Sequence, residues 1–187
     1  MHPLDKFVFC PVCGSPQFEV NNVKSKRCKA CGFIYYANPY SATAAFILRT
    51  PEEGGEKQLL VACRANEPAR GTLDLPGGFV DMDETGEEGM CREILEETGL
   101  QVSPQEVRYL FSIPNLYPYS GMTIHTLDMF YEVEVKASQL PHAADDAASL
   151  EWVPLNKVQP KQFGLQSISK AVERYLNSRT IPPASRA

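Results

Sequence analysis

The chain has no apolar run that approaches the ~20 residues of a membrane span, and its first residues, MHPLDKFVFCPVC, lack the basic segment followed by an apolar stretch that marks an export signal. Both absences point to a cytoplasmic protein with no membrane partner. There is no cationic excess either. Eighteen Lys and Arg face 23 Asp and Glu, a net charge of −5, which excludes the broad basic footprint of a bulk nucleic-acid binder. No helix-turn-helix pattern is present, no low-complexity segment, and no repeat apart from two short cysteine knuckles. What remains is 187 residues, 43% of them apolar, enough for one ordinary domain with its own core and a small attachment.

Four of the six cysteines form Cys10-Pro-Val-Cys13-Gly14 and Cys28-Lys-Ala-Cys31-Gly32. Each CxxCG lets a tight turn aim two thiolates at one ion, and the glycine lets the backbone curl so that its amides face the sulfurs. Together they predict a closed, structural four-thiolate site, a zinc ribbon over residues 1–39. The ligand type also admits iron of the rubredoxin kind. About forty residues bury too little surface to fold unaided, which explains a metal staple. Cys63 and Cys91 have no such partner and read as small buried residues.

Tyr35 to Tyr40 joins the ribbon to a main domain over residues 40–180, and 181–187 read as a disordered tail. Strands are expected at Ser41–Leu48, Gln58–Arg64, Gly71–Leu75, Gln105–Ser112, Thr123–Val135 and Leu150–Val153. The stretch IPNLYPYSGM between two of them reads as a loop. Phe163, Ile168, Val172 and Leu176 recur at helical spacing, so Pro160–Arg179 should close the domain as an amphipathic helix. This order gives an α/β class with helices on a mixed sheet.

The most informative stretch is Gly78 to Leu100, GFVDMDETGEEGMCREILEETGL. A helix from about Glu84 to Thr98 puts Glu93, Glu96 and Glu97 on one face, at i, i+3 and i+4. Three like charges so close require a compensating cation, and oxygen ligands suit Mg²⁺ or Mn²⁺. Met90 and Ile94, with Cys91 and Leu95, should face the core. Gly86 and Gly89 in its first turns each cost about 1 kcal/mol against alanine. Leu75-Pro-Gly77-Gly78 ahead of the helix lets the backbone turn and approach a ligand.

Gly78, five residues, Glu84, seven residues, Arg92-Glu93-Ile94, one residue, Glu96-Glu97, one residue, Gly99-Leu100 resembles the signature of the Nudix hydrolases at every fixed position. The resemblance implies a Nudix-type α/β/α sandwich and a hydrolase that cleaves the pyrophosphate bond of a nucleoside diphosphate derivative. It implies metal ligation by the Gly77 carbonyl, Glu93, Glu96 and Glu97, with Glu84 and Arg92 as an ion pair that orients them. The base is one of the glutamates, Glu93 first, or an acid from a later loop, for which Asp145, Asp146 and Glu151 are the candidates.

A four-cysteine ribbon ahead of this box resembles the NADH pyrophosphatase branch, which implies cleavage of NAD(H) to nicotinamide mononucleotide and AMP. That branch carries SQPWPFPxS where this chain has Ser112-Ile-Pro-Asn-Leu-Tyr-Pro-Tyr-Ser120, without the tryptophan. ADP-ribose or another nucleoside diphosphate sugar is therefore the competing substrate. Gly78, Tyr117 and Tyr119 are the substrate-binding candidates, and Phe111 is a third ring able to stack on a base. Two other roles compete for the ribbon: Lys24, Lys26, Arg27 and Lys29 make it locally basic, as an RNA-binding or nucleotide-sensing regulatory module would require, or its exposed face serves a homodimer.

Overall fold

The computed structural model describes residues 2–143 and 147–180; Asp145, Asp146 and the 181–187 tail lie outside the described residues. The chain divides into two compact units, one of Met1–Tyr40 with Leu116–Thr126, the other of Ser41–Asn115 with the chain from Leu127 on. In the first, β1 (Phe18–Asn22), β2 (Ser25–Cys28) and β3 (Ile34–Tyr36) form a three-stranded antiparallel sheet in that order. Phe18, Cys10 and Cys28 are its buried centre, with Phe7 and Phe33 packed against them.

A six-stranded sheet of β4 (Tyr40–Arg49), β5 (Gln58–Arg64), β6 (Leu73–Asp74), β7 (Arg108–Tyr119), β8 (Met122–Glu134) and β9 (Ala147–Pro154) carries the second unit, apart from the Leu116–Thr126 end of β7 and β8, which is counted with the first. The order is β6-β5-β4-β8-β7, and β9 pairs antiparallel with β5 over Gln58↔Pro154 to Arg64↔Ala147. An isolated parallel bridge joins Leu73 to Phe163, so the sheet is mixed.

The apolar run of β4 explains the layering. Ala44, Phe46 and Leu48 join one core with Ile168, Ala171, Val172 and Tyr175 of helix α2 (Gln166–Thr180). Ala45 and Ile47 join the other with Met90 and Ile94 of helix α1 (Gly86–Thr98). Because successive strand side chains point to opposite faces, an unbroken apolar strand must be covered on both sides, and each helix supplies one cover. The ring of Tyr175 stacks on Phe46 at 4.0 Å. Side chains of this size contribute about 1.5–3 kcal/mol each when fully buried.

Several expectations change. The stretch expected as a loop is strand: β7 runs through Ile113–Tyr119 and only Ser120-Gly121 turn. Both residues have positive φ, 47° and 73°, the geometry of a two-residue hairpin turn. Pro114 and Pro118 are tolerated because β7 ends the strand order, and an edge strand can turn a missing N–H outward. Helix α1 begins at Gly86, with Thr85 as N-cap in a reciprocal box with Glu88, so Glu84 precedes it. Leu95 is 46% exposed, not core. Cys63 and Cys91 are only partly buried. Residues Pro160–Gln162 form a separate 3-10 turn ahead of α2.

Candidate active site

The segment after β6 runs antiparallel beside β4: the amides of Ala45, Thr43 and Val80 reach Pro76 O, Gly78 O and Ser41 O at 2.9, 2.8 and 3.0 Å. This ladder brings the two glycines against the glutamate helix. A Cβ on Gly78 would lie 2.7 Å from Cδ and 2.8 Å from Oε2 of Glu93. The neighbouring Gly77 amide donates to Glu97 Oε2 at 3.1 Å. The same steric logic accounts for the glycines near the helix start. Gly86 leaves room for the Tyr131 hydroxyl, and Gly89 for the Glu84 carboxylate.

Arg92 holds the acids in place. Its Nε and Nη2 grip Glu84 at 3.2 and 2.7 Å, Nη2 also reaches Phe79 O at 2.9 Å, and Nη1 donates to Glu93 Oε1 at 2.8 Å and Glu96 Oε2 at 3.0 Å. Asp81 completes the cluster, its amide on Glu84 Oε1 at 2.7 Å and its carboxylate 3.8 Å from Arg92 Nε. A planar fork with five donors can serve several acceptors at once. The Arg92 hydrogen bonds hold the Glu84 carboxyl below its usual range. Glu93 behaves oppositely. Burial pushes its carboxyl up by more than Arg92 pulls it down.

A cation therefore already lies between Glu93 and Glu96, and the donor set of carboxylate oxygens suits a hard divalent ion. The cage is not closed, however. Among the described residues, the cysteines are the only group of three or more His, Cys, Asp or Glu with ligand atoms all within 4.8 Å. Glu96, 48% exposed, is tied outward to Arg92 Nη1 at 3.0 Å. Glu151 is exposed on β9, opposite Val61.

The cysteine cluster fits a metal more directly. The Cys10–Cys31 and Cys13–Cys28 sulfurs are 3.7 and 3.6 Å apart, close to the ~3.8 Å edge of a tetrahedron with 2.3 Å Zn–S bonds. Both knuckles share one fold: Gly14 N donates to Cys10 O and Gly32 N to Cys28 O, at 2.9 and 3.0 Å. Backbone amides of Cys31 and Ala30 face the Cys28 sulfur and draw its thiol down to about 6, whereas, against the pull of the Ser15 amide, the clustered sulfurs push the Cys13 thiol up to about 12, so the four sulfurs share their protons unevenly.

Other predicted residues are placed differently. Tyr117 is half-buried and Tyr119 exposed, and both belong to the first unit, whereas the glutamates belong to the second. Phe111 is a packing residue, 5.4 Å from the Phe130 ring and covered by Arg174. The ribbon is less basic than its sequence. Lys26 is buried with its Nζ on Phe7 O at 2.9 Å, and Lys29 lies 3.7 Å from Glu19, which leaves Lys24 and Arg27. Sequence reasoning missed the Thr85 cap, although Thr85-x-x-Glu88 is the pattern of a capping box. It also missed the Arg64–Asp74 ion pair on β5 and β6.

The ADP-ribose pyrophosphatase of Methanocaldococcus jannaschii is 34% identical over 122 residues, 65% of this chain and 69% of that protein. The NAD-capped RNA hydrolase NudC of Deinococcus radiodurans is 32% identical over 64% of this chain, and the match spans only 41% of its length. A NUDIX hydrolase structure from Nitrosomonas europaea superposes with a TM-score of 0.63 over 92% of both chains, at 22% identity. No described helix is long and apolar enough to cross a membrane. Residues 40–174 match the NUDIX domain model, a stretch that takes in the glycine segment, all of α1 and most of α2, and the chain therefore belongs to the NUDIX domain family.

Proposed function

We propose that the protein hydrolyses the pyrophosphate bond of a nucleoside diphosphate derivative, NAD(H) or ADP-ribose, with Mg²⁺ or Mn²⁺ bound by Glu93, Glu96, Glu97 and the Gly77 carbonyl. The observation that carries this reading is the setting of Glu93, wedged between Gly78 and Arg92 with its carboxyl pushed up by burial. When bound, such a metal neutralises phosphate oxygens and lowers the pKa of water. Arg92 occupies Glu93 Oε1, so Oε2 is the oxygen that would hold the metal or, in its place, take a proton from the attacking water. Arg92 and Glu84 hold the glutamates in register, and the Gly77 amide orients Glu97.

The relatives named above support an anhydride of this class. The reading extends to a structural Zn²⁺ on Cys10, Cys13, Cys28 and Cys31, to the cytoplasm as its compartment, and to a homodimer formed through the ribbon. Val8, Phe9 and Val12, all more than half exposed, support a partner there. Sedimentation before and after removal of residues 1–39 tests the dimer.

The deciding experiment is a hydrolysis panel with Mg²⁺ and Mn²⁺ over NADH, NAD, ADP-ribose, dinucleoside polyphosphates and nucleoside triphosphates, with product identification. Release of AMP from NADH or ADP-ribose is expected, with at least ~100-fold loss in Glu97→Gln. An active Glu97→Gln protein would overturn the assignment.

A further inference from the structure

The segments that build the site, from Arg64 to Gly99, contain three cations: Arg64, Arg70 and Arg92. Two are consumed. Arg92 is spread over Glu84, Glu93, Glu96 and the Phe79 carbonyl. Arg64 pairs with the buried Asp74 and donates through Nε to Pro68 O at 2.7 Å. Arg70 is exposed, and among the described residues it makes no ion pair or hydrogen bond, with Glu67 of the same loop or with any other group.

The loop that carries Arg70 is unusually well fixed for a surface turn. Arg64 N donates to Thr72 O and Gly71 N to Arg64 O, both at 3.0 Å. Ala69 O accepts from both the amide and the hydroxyl of Thr72, at 3.2 and 2.7 Å. Gly164, just ahead of α2, packs so closely on Ala69 and Thr72 that no side chain fits there. Ala69 itself has φ +66°, a left-handed conformation that a residue with a Cβ rarely adopts. Such an outlier persists only where its surroundings over-determine it, and its consequence here is the direction in which the next residue leaves the loop.

Position adds to this. Only Leu73–Pro76 separate the loop from Gly77, so Thr72 lies within about 18 Å of it even with the chain fully extended. The ladder shortens that span. The chain descends along β5 through Leu73 and Asp74, then reverses and climbs beside β4 to Gly78 and Val80, back toward the level of the loop. A pyrophosphate approaching a helix with Glu87, Glu88, Glu93, Glu96 and Glu97 meets repulsion that a metal offsets only in part. An uncommitted guanidinium on a rigid loop is suited to bidentate contact with a phosphate.

We propose that Arg70 is a substrate-positioning residue that binds a phosphate of the nucleotide independently of the metal. This rests on the reading of the site as a pyrophosphohydrolase. Wild-type, Arg70→Ala and Arg70→Lys proteins are compared by equilibrium titration with ADP-ribose and with adenosine, without added divalent metal, and by steady-state hydrolysis of ADP-ribose with Mg²⁺. In Arg70→Ala the Kd and KM for ADP-ribose are expected to rise about tenfold, with kcat within about twofold and adenosine binding unchanged; Arg70→Lys recovers most of the loss. Unchanged ADP-ribose binding in Arg70→Ala overturns the proposal. So does an equal loss for adenosine, which would mark a role in loop structure, or wild-type protein that binds ADP-ribose no better than adenosine. Wild-type protein that binds ADP-ribose but hydrolyses no anhydride refutes the hydrolase reading, while the titration still decides the role of Arg70.

Discussion

Gly77 and Gly78 are adjacent, yet alanine at each should fail in a different way. At Gly77 the new Cβ would lie 2.7 Å from Ala44 Cα and 2.9 Å from the Thr43 carbonyl carbon, with the Thr43 oxygen closer still. These are backbone atoms of β4, locked by the ladder that holds the segment, so the strand itself must move. Overpacking of this kind costs about 3 kcal/mol, which for a chain of this length lowers Tm by roughly 6–12 °C. At Gly78 the obstacle is the Glu93 carboxylate. A side chain can rotate away, and the Gly78 carbonyl keeps its bond from Thr43 N. Relief of the clash needs Glu93 to shift by about 0.7 Å, which separates it from Arg92 and from its working position. Displacements on the order of 1 Å at a reacting group cost about 100-fold in rate. Gly78→Ala should therefore lose about 30- to 100-fold in kcat/KM with Tm within ~2 °C of wild type. Calorimetry and ADP-ribose hydrolysis on both variants decide the matter. If Gly78→Ala keeps full activity, Glu93 is not held where the chemistry needs it. If its Tm falls as far as that of Gly77→Ala, the distinction between a yielding side chain and an unyielding strand is wrong.

Arg92→Lys should be nearly as damaging as Arg92→Gln, at least ~10-fold in kcat/KM, because one ammonium cannot span Glu84, Glu93, Glu96 and the Phe79 carbonyl; a Lys variant with wild-type rates would refute the shared-fork account. Metal analysis should find one zinc per chain, lost in Cys28→Ser, and hydrogen exchange should then show Gly14 and Gly32 unprotected while Phe46 and Val172 stay protected. The third concerns acid stability. Burial pushes Glu132 up, but hydrogen bonds from Tyr175, Arg108 and Arg179 outweigh it and pull the carboxyl down to about 2. Its stabilisation is thus complete above the ordinary value near 4.5 and is lost as pH falls from there toward 2. Glu132→Gln should cost about 3 kcal/mol at neutral pH, and that cost should shrink across the same acid window in urea titrations.

Local pattern exposed much of the molecule. The CxxCG pairs, the i, i+3, i+4 glutamates and the unbroken apolar run of β4 each state a geometric demand within a few residues, and the ribbon, the acidic face and the two-sided core follow from them. Proline misled where a long-range fact governed: Pro114 and Pro118 read as loop, but β7 lies at the sheet edge, where the absent N–H has no partner to lose. Leu95 lies outside the core and Lys26 is buried, because a side chain's exposure depends on what packs over it. Lys26 is covered through its contact with Phe7, nineteen positions away.

Sequence alone determined the donor types and their spacing, because a helix turn and a cysteine knuckle are set by neighbouring residues. Tertiary structure decided how those donors are used. It placed Gly78 under Glu93, closed Arg92 around four acceptors drawn from different parts of the fold, and left Arg70 as the cation of these segments without a partner among the described residues. Those outcomes depend on how β4, the glycine segment and α1 pack, and that packing is written in no single stretch of the chain.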